Sequence, residues 1–357
     1  MRIAIATMSR DISFGGNLQA YALQRTICEN SHSSCLHIAR ESKKHKIFIP
    51  VKTPRDVLTN ANRVVHYRAH KRKMRCFESF QEQYLSFTDK VYSDENAKEL
   101  NNQFDCFITG SDQVWNCAGG INNILYLNFA RKEKMKVSYA ASIGIFEIPA
   151  QYKEGFIQSI SGYDCISVRE KRAKEIVEAL TGKHCEQVLD PVFLRNANEW
   201  REMAGDRIMS EKYIFVYATQ VSEELIQCVQ QCEKLTGYKV ISVHKLLNYP
   251  TIEFKSGPLE FLNYVNYAEY VITSSFHCAA FSMIFSKNLT VIPHKETGIR
   301  VIGLLETLGA EKSIYNGKFV PEEKYNVNAV SEEIRQNRDE SLKFLRKVIL
   351  DGERKYG

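Results

Sequence analysis

An alternation of short apolar runs with amphipathic stretches, begun twice, constrains this chain more than any other feature. The first half opens with RIAIA (2–6), a polar Gly-containing turn, and LQAYALQRTI, whose Leu18, Tyr21, Ala22 and Leu23 form a helical stripe. Further strands are expected at FDCFITG (104–110), KVSYAASIG (136–144) and YDCISVRE (163–170), with QVLDPVF (187–193) closing the half. The helix REKRAKEIVEALTG between them stops at Gly182. The pattern then restarts with strands at 212–219, 238–244, 269–273 and 288–293, each followed by a helical segment, and a long helix ends the chain. Such repetition predicts two α/β domains with parallel sheets, meeting between 194 and 211. A length of 357 residues suits two domains at about 150 residues each.

Composition excludes several classes. Hydrophobic residues make up 44% and charged residues 25%, as in ordinary globular chains and unlike disordered ones. No apolar run approaches the ~20 residues needed to cross a bilayer. The opening MRIAIATMS has too short an apolar run for a signal segment and reads as a buried strand, so a cytoplasmic location is expected. The ten cysteines include no C-x-x-C pair, and Cys228 and Cys232, four apart, find no second pair nearby. Reduced thiols and no metal site are expected.

Charge is uneven. Residues 40–75 hold twelve Lys and Arg against Glu41 and Asp56, a local +10, so with +6 overall the rest of the chain is −4. The segment belongs to a helical excursion over 40–86 that includes a long helix at about 55–86. It reads either as a solvated charged helix or as a contact for anionic lipid head groups. No zinc-finger or RNP motif accompanies it, and no nucleic-acid partner is expected.

Candidate ligand-binding residues stand just after strands, where open α/β sheets bind their ligands. GSDQVWN (110–116) offers Ser111, Asp112, Gln113 and Asn116 to a polyhydroxyl ligand, with Trp115 available to stack on a sugar face. An Asx turn with Trp115 in the core explains the same residues equally well. In TSSFH (273–277), Ser274 or Ser275 can cap a helix whose free N–H groups attract an anion, placing His277 in the first turn. Arg169, in SVREK, suits a carboxylate or phosphate, or a structural pairing with Glu170 or Asp190. Arg300 is a second cation at a helix start, expected to be exposed. GxGxxG, P-loop, HExxH and G-x-S-x-G motifs are absent, as is a DxD pair, which weakens the dehydrogenase, kinase, hydrolase and metal-dependent glycosyltransferase readings.

Taken in order, GGNLQAYALQ (15–24), FDCFITGSDQVWN (104–116), VSYAASIG (137–144), ISVREK (166–171), VLDPVFL (188–194) and ITSSFHCAAFSMIFSK (272–287) resemble the polysaccharide pyruvyl transferase family over roughly residues 1–315. The resemblance implies an α/β fold of two Rossmann-like domains facing a cleft, as in GT-B glycosyltransferases. The ranges would be 1–195 on the acceptor side and 196–328 on the donor side, with a long C-terminal helix over 329–357 packing back across the first domain. It implies transfer of pyruvate from phosphoenolpyruvate onto a sugar as a cyclic ketal, in the synthesis of bacterial capsule, exopolysaccharide or cell-wall polymer. Phosphoenolpyruvate is then a co-substrate and no cofactor is called for. The acceptor would be a lipid-linked oligosaccharide at the inner face of the membrane, which the 40–75 segment would suit.

By motif position the resemblance makes His277 the general acid or phosphate ligand, Asp112 the base, and Arg169 with Arg300 the holders of the donor's anionic groups. Gly16, Asn17, Ser111, Gln113, Asn116, Ser274 and Ser275 would shape the substrate site. Two departures stand out: Ser275-Phe276-His277 replaces the Arg-Leu-His of several family members, and Cys278 replaces a common Gly. The competing readings are a GT-B glycosyltransferase with a nucleotide-sugar donor and a non-catalytic polysaccharide-assembly binding protein.

Overall fold

Two all-parallel sheets carry the chain in the computed structural model, which describes residues 1–41, 53, 71–244, 246, 249–254, 257–294, 298–321 and 325–356. The first sheet has the order β2-β1-β3-β4, formed by β1 (Arg2–Ala6), β2 (Ser34–His37), β3 (Cys106–Thr109) and β4 (Met135–Ser138). Ile3 pairs with Cys35 on one side and with Cys106 on the other. Single bridges from Val137 to Cys165 and from Ala141 to Val168 extend it towards β5 (Ser167–Val168) and β6 (Glu186–Gln187). The second sheet has the order β11-β10-β7-β8-β9: β7 (Tyr213–Tyr217), β8 (Lys239–Ser242), β9 (Ile252–Glu253), β10 (Tyr270–Thr273) and β11 (Asn288–Val291). Read from β9, this is the 3-2-1-4-5 order of a Rossmann half. In each sheet the strand order reverses beside the first strand, at β1/β3 and at β7/β10. Loops leaving the carboxyl ends there diverge and open a crevice.

The helices begin and end where their residue types dictate. Ser13 caps α1 (Phe14–Glu29) by accepting from the Gly16 N–H, and Ser222 caps α6 (Glu223–Thr236) through the Leu225 N–H. Gly182, at φ 67°, stops α4 (Lys171–Thr181) in the left-handed conformation that its lack of a Cβ allows. Strands β4 and β5 are shorter than the apolar runs at 136–144 and 163–170. Beyond Ser138 the chain turns into the crevice, with Ala140 at φ 53° and Tyr139 to Ala141 all buried. Edge strand β2, α3 (Ala150–Ser161) and α5 (Ala197–Ala204) are elements the sequence pattern does not announce. Strand β2 is four residues with a mixed face. Helix α3 buries only Phe156, Ser159 and Ile160.

Of the helix expected over 55–86, residues 71–84 are described (α2); most of the basic 40–75 segment lies outside the described residues. Cys228 and Cys232 are fully buried in the apolar core of the second sheet, and among the described residues no cluster could hold a metal ion. Among the described residues no helix is long and apolar enough to cross a membrane.

One apolar core joins the two sheets. Phe14, at the start of α1, stacks on Phe261 of α7 (Pro258–Tyr267) with centroids 5.0 Å apart and planes at 8°. Phe77 of α2 and Phe254 close on the same ring at 5.2 and 5.7 Å. Trp200 of α5 meets Phe281 of α8 (Phe276–Ile284) edge-on at 5.1 Å. The C-terminal helix α10 (Val327–Tyr356) returns to the first sheet, burying Phe344, Leu345, Val348 and Ile349 with Ile3, Ile5 and Met135. Its Ser341 hydroxyl accepts from the Leu189 N–H at 2.9 Å, which ties it to the segment that enters the site. Because Phe14 is 3% exposed between the sheets, Phe14→Ala should destabilise the protein by about 3–5 kcal/mol, measured by urea denaturation.

Candidate active site

Loops from the carboxyl ends of six strands meet around one guanidinium. Arg169, leaving β5, is 1% exposed along its side chain. Its Nη1 donates to Asp190 Oδ2 at 2.7 Å and its Nε to Glu170 Oε1 at 2.9 Å, while Nη2 lies 3.8 Å from Asp112 Oδ1. The Phe276 ring covers it, with the guanidinium carbon 4.0 Å from the centroid. Burial opposes the charge on Arg169, but Glu170, Asp190 and Asp112 outweigh it, raise its pKa and keep it charged.

Asp190 is the counterpart. Its Oδ2 accepts from Ser111 Oγ at 2.7 Å and from Arg169, and lies 3.5 Å from His277 Nε2. Its Oδ1 accepts from the Val192 N–H and caps a short 3-10 turn, Pro191–Leu194. Burial alone would raise its pKa, but His277, Arg169 and the Ser111 hydroxyl hold it well below the usual carboxylate range. His277 sits in the first turn of α8, capped by Ser275, with its ring against the backbone of Gly15. A Cβ on Gly15 would fall 2.1 Å from the imidazole Cγ and Nδ1, so only glycine lets α1 and α8 approach this closely.

Several residues expected to touch a ligand have architectural partners instead. Asn17 is fully buried. Its Nδ2 donates to the carbonyls of Asp11 and Ser13, both at 2.8 Å, and its Oδ1 accepts from Gln81 Nε2. The Gly16 N–H is engaged by the Ser13 hydroxyl, and Ser274 Oγ accepts from the Thr219 N–H at 3.0 Å. Ser111 is fully buried on Asp190. Trp115 is fully buried among Tyr126, Phe156 and Tyr163, the last two edge-on, so its ring packs in the core and not on a sugar. Arg169 makes both structural pairings open to it, with Glu170 and Asp190, and its buried Nη2 is left without a hydrogen bond. Arg300 is half-buried, not exposed, because Gln113 closes over it.

That contact fixes the Gln113 amide. A guanidinium only donates, so the Gln113 oxygen faces Arg300 Nη1 and Nη2, at 3.1 and 3.0 Å. Burial, then the neighbouring Arg169, depresses the Arg300 pKa, and its Nε has no hydrogen-bond partner. Asp112 stands at φ 75°, unusual for a residue with a side chain, and accepts from the Gln113 N–H at 2.8 Å.

Three residues emerge that the sequence did not mark as functional. Gly15 admits His277. Asp190 orients it. Glu170 Oε1 accepts from Ser142 Oγ at 2.6 Å and from Arg169, leaving its buried Oε2 without a partner. Glu170 and Arg300 both line a cavity of about 280 Å³ between the first turns of α4 and α9 (Ile299–Leu308). A buried Asp following a strand and preceding Pro191 was the available signal for Asp190. For Gly15 and Glu170 the signal lies only in what the fold packs against them.

The assembly is a buried imidazole–carboxylate pair with a cation and a carboxylate on an adjoining cavity, set at the switch points of two Rossmann-like sheets. This is a GT-B-type fold. The profile of the polysaccharide pyruvyl transferase family matches residues 14–296, most of the chain, and the protein belongs to that family of transferases. No curated protein sequence matches the chain. Among solved structures it is similar to the UDP-GlcNAc 2-epimerase of Neisseria meningitidis bound to UDP-GlcNAc (TM-score 0.55, 9% identity, 99% of each chain covered). It is also similar to that of Methanocaldococcus jannaschii (TM-score 0.54, 10% identity, 94% of this chain and 92% of that one). At these identities the likeness is one of fold.

Two outcomes follow. Asp190→Asn removes one of the three carboxylates that balance the buried Arg169 charge and should destabilise the fold by about 1–3 kcal/mol in urea titrations. The folded-state pKa of Asp190 lies below its unfolded value of about 3.9, so its contribution is whole above about pH 4 and drains away as pH falls further. The variant should therefore lose less stability than the wild type between about pH 4 and 2. Gly15→Ala should displace the His277 ring and destabilise by about 1–3 kcal/mol, with the His277 imidazole resonances moved in NMR spectra.

Proposed function

We propose that this protein transfers pyruvate from phosphoenolpyruvate to a sugar residue, closing a cyclic ketal across two hydroxyls, in the synthesis of bacterial capsule, exopolysaccharide or cell-wall polymer. Family membership supports the transferase class. The observation that carries the chemistry is His277 backed by buried Asp190, with Arg300 retaining an unpartnered Nε on a cavity it shares with Glu170.

In this reading His277 protonates the methylene carbon of the donor, and the oxocarbenium-like centre is attacked by a sugar hydroxyl. Arg300 takes the donor's anionic groups; Arg169, enclosed by three carboxylates, positions Asp190 and His277. The attacking hydroxyl passes its proton to Asp112 or Glu170, of which Glu170 lines the cavity. Loss of phosphate regenerates the oxocarbenium, and the second hydroxyl closes the ring as its proton passes to the His277 imidazole that gave one up in the first step. Gln113 holds Arg300 in place. Residues 1–195 would present the acceptor and 196–328 the donor, since Asp112, Glu170 and Asp190 come from one range and His277 and Arg300 from the other.

A lipid-linked oligosaccharide at the cytoplasmic face of the membrane fits the +10 charge of residues 40–75. The reading uses phosphoenolpyruvate as co-substrate and assigns no step to a metal or other cofactor. Arg300 takes the part left open by Ser275, whose hydroxyl caps α8 where related chains carry Arg.

A ligand that binds only the folded state must raise the melting temperature, by the equivalent of about 2.7 kcal/mol at a hundredfold excess over Kd. Phosphoenolpyruvate should do so, UDP-, GDP- and CMP-sugars should not, and Arg300→Ala should abolish the shift. Stabilisation by a nucleotide sugar alone would move the assignment to glycosyl transfer or epimerisation. Glu170→Gln should retain the phosphoenolpyruvate shift while lowering kcat by roughly 10²–10⁴-fold, the range of a lost general base.

A further inference from the structure

Phe146 is 65% exposed, more than any other large apolar residue described, beside a cavity that contains the charged groups of the site. Its setting is built. The loop after β4 is pinned where Gly144, at φ 70°, lies so close to Gln113 that a Cβ there would come within 2.6 Å of the Gln113 amide. Two residues on, Arg172 of α4 donates from Nε to the Phe146 carbonyl at 3.0 Å and sets its guanidinium 4.6 Å from the ring centroid. Arg172 Nη1 is held in turn by Glu175 at 3.0 Å. A tethered cation thus backs the ring, which stays largely open to solvent.

Arg172 and Ile145 line the same cavity as Glu170 and Arg300, so the ring stands at its mouth. The opposite wall is α9, where Gly303 contributes no side chain and a Cβ would meet nothing within 4 Å. At about 280 Å³ the space lies at the lower limit of small-molecule pockets and accommodates one monosaccharide-sized unit more readily than a nucleotide.

We propose that Phe146 and this cavity form the acceptor-saccharide subsite: the ring takes the apolar C–H face of a pyranose, and the charged groups beside it take the hydroxyl edge. A pyranose has this division, one face of C–H bonds and a rim of hydroxyls. An aromatic plate flanked by Arg172 and Glu175 matches both parts. The hydroxyl that reaches into the cavity then meets the unpartnered oxygen of Glu170 beside Arg300. Identification of the ligand as the acceptor rests on the pyruvyl-transfer reading; the saccharide site itself does not.

Saturation-transfer NMR on the full chain tests it, with methyl β-D-galactopyranoside, methyl β-D-glucopyranoside and methyl N-acetyl-β-D-mannosaminide as probes. At least one should receive saturation, strongest on the ring protons of one face. Phe146→Ala should weaken that binding roughly fivefold or more, and Phe146→Trp should retain it. Leu235→Ser, at a comparably exposed apolar residue on α6, should leave binding unchanged. Gly303→Leu, which fills the cavity from a helix that tolerates the side chain, should block it. Equal binding by wild type and Phe146→Ala, no binding of any probe, or Phe146-dependent saturation of uridine alone would each overturn the proposal. The phosphoenolpyruvate melting shift, run on the same variants, reports separately on the donor. A shift that persists while saccharide binding ignores Phe146 sinks the subsite alone, and Phe146-dependent saccharide binding without a shift sinks the pyruvyl-transfer reading alone.

Discussion

A guanidinium enclosed by protein must be neutralised where it stands, and the Arg169 side chain is 1% exposed. Its counter-charges, Asp190, Glu170 and Asp112, come from the ends of β6, β5 and β3. Each must reach Arg169 for the charge to be tolerated, so the loops that carry them have little freedom. Asp190 then fixes His277 from the second half of the chain, and Gly15 lets α1 close upon it. Register, loop path and approach of the two sheets therefore converge on one charge. The shared apolar core around Phe14 and Phe261 supplies the complementary constraint a few residues away.

That arrangement separates the residues that build the site from those left with capacity for a ligand. Ser111, Asn17, Ser275 and Arg169 all have internal partners, and disturbing any of them disturbs the fold. Arg169 Nη2, Glu170 Oε2, Arg300 Nε and His277 Nε2 are nevertheless buried polar atoms without a hydrogen bond. In a low-dielectric setting such atoms are costly, and two of their residues, Glu170 and Arg300, line one cavity.

The likeness to UDP-GlcNAc 2-epimerases at 9–10% identity shows how little of the fold depends on particular site residues. Parallel strands covered by helices need buried apolar runs and helix stops, which many sequences provide. What a member of the fold does is set by the side chains at the strand ends.

The sequence by itself determined the two α/β halves, the stop of α4 at Gly182 and the strand-end positions of Arg169, Asp112 and His277. These follow from local pattern: apolar runs, helical stripes, and the conformations open to glycine and serine. It also left Arg169 between a ligand role and a structural one, and Trp115 between a sugar and the core. Only the tertiary structure decided those cases, because partnership depends on which groups long-range packing brings together. Asp190 meets Arg169 across two strand ends, and Tyr126, Phe156 and Tyr163 enclose Trp115. The edge strand β2 and helix α3 escaped for a related reason. Their residues carry weak periodicity, and neighbours distant in sequence supply the burial that makes them regular.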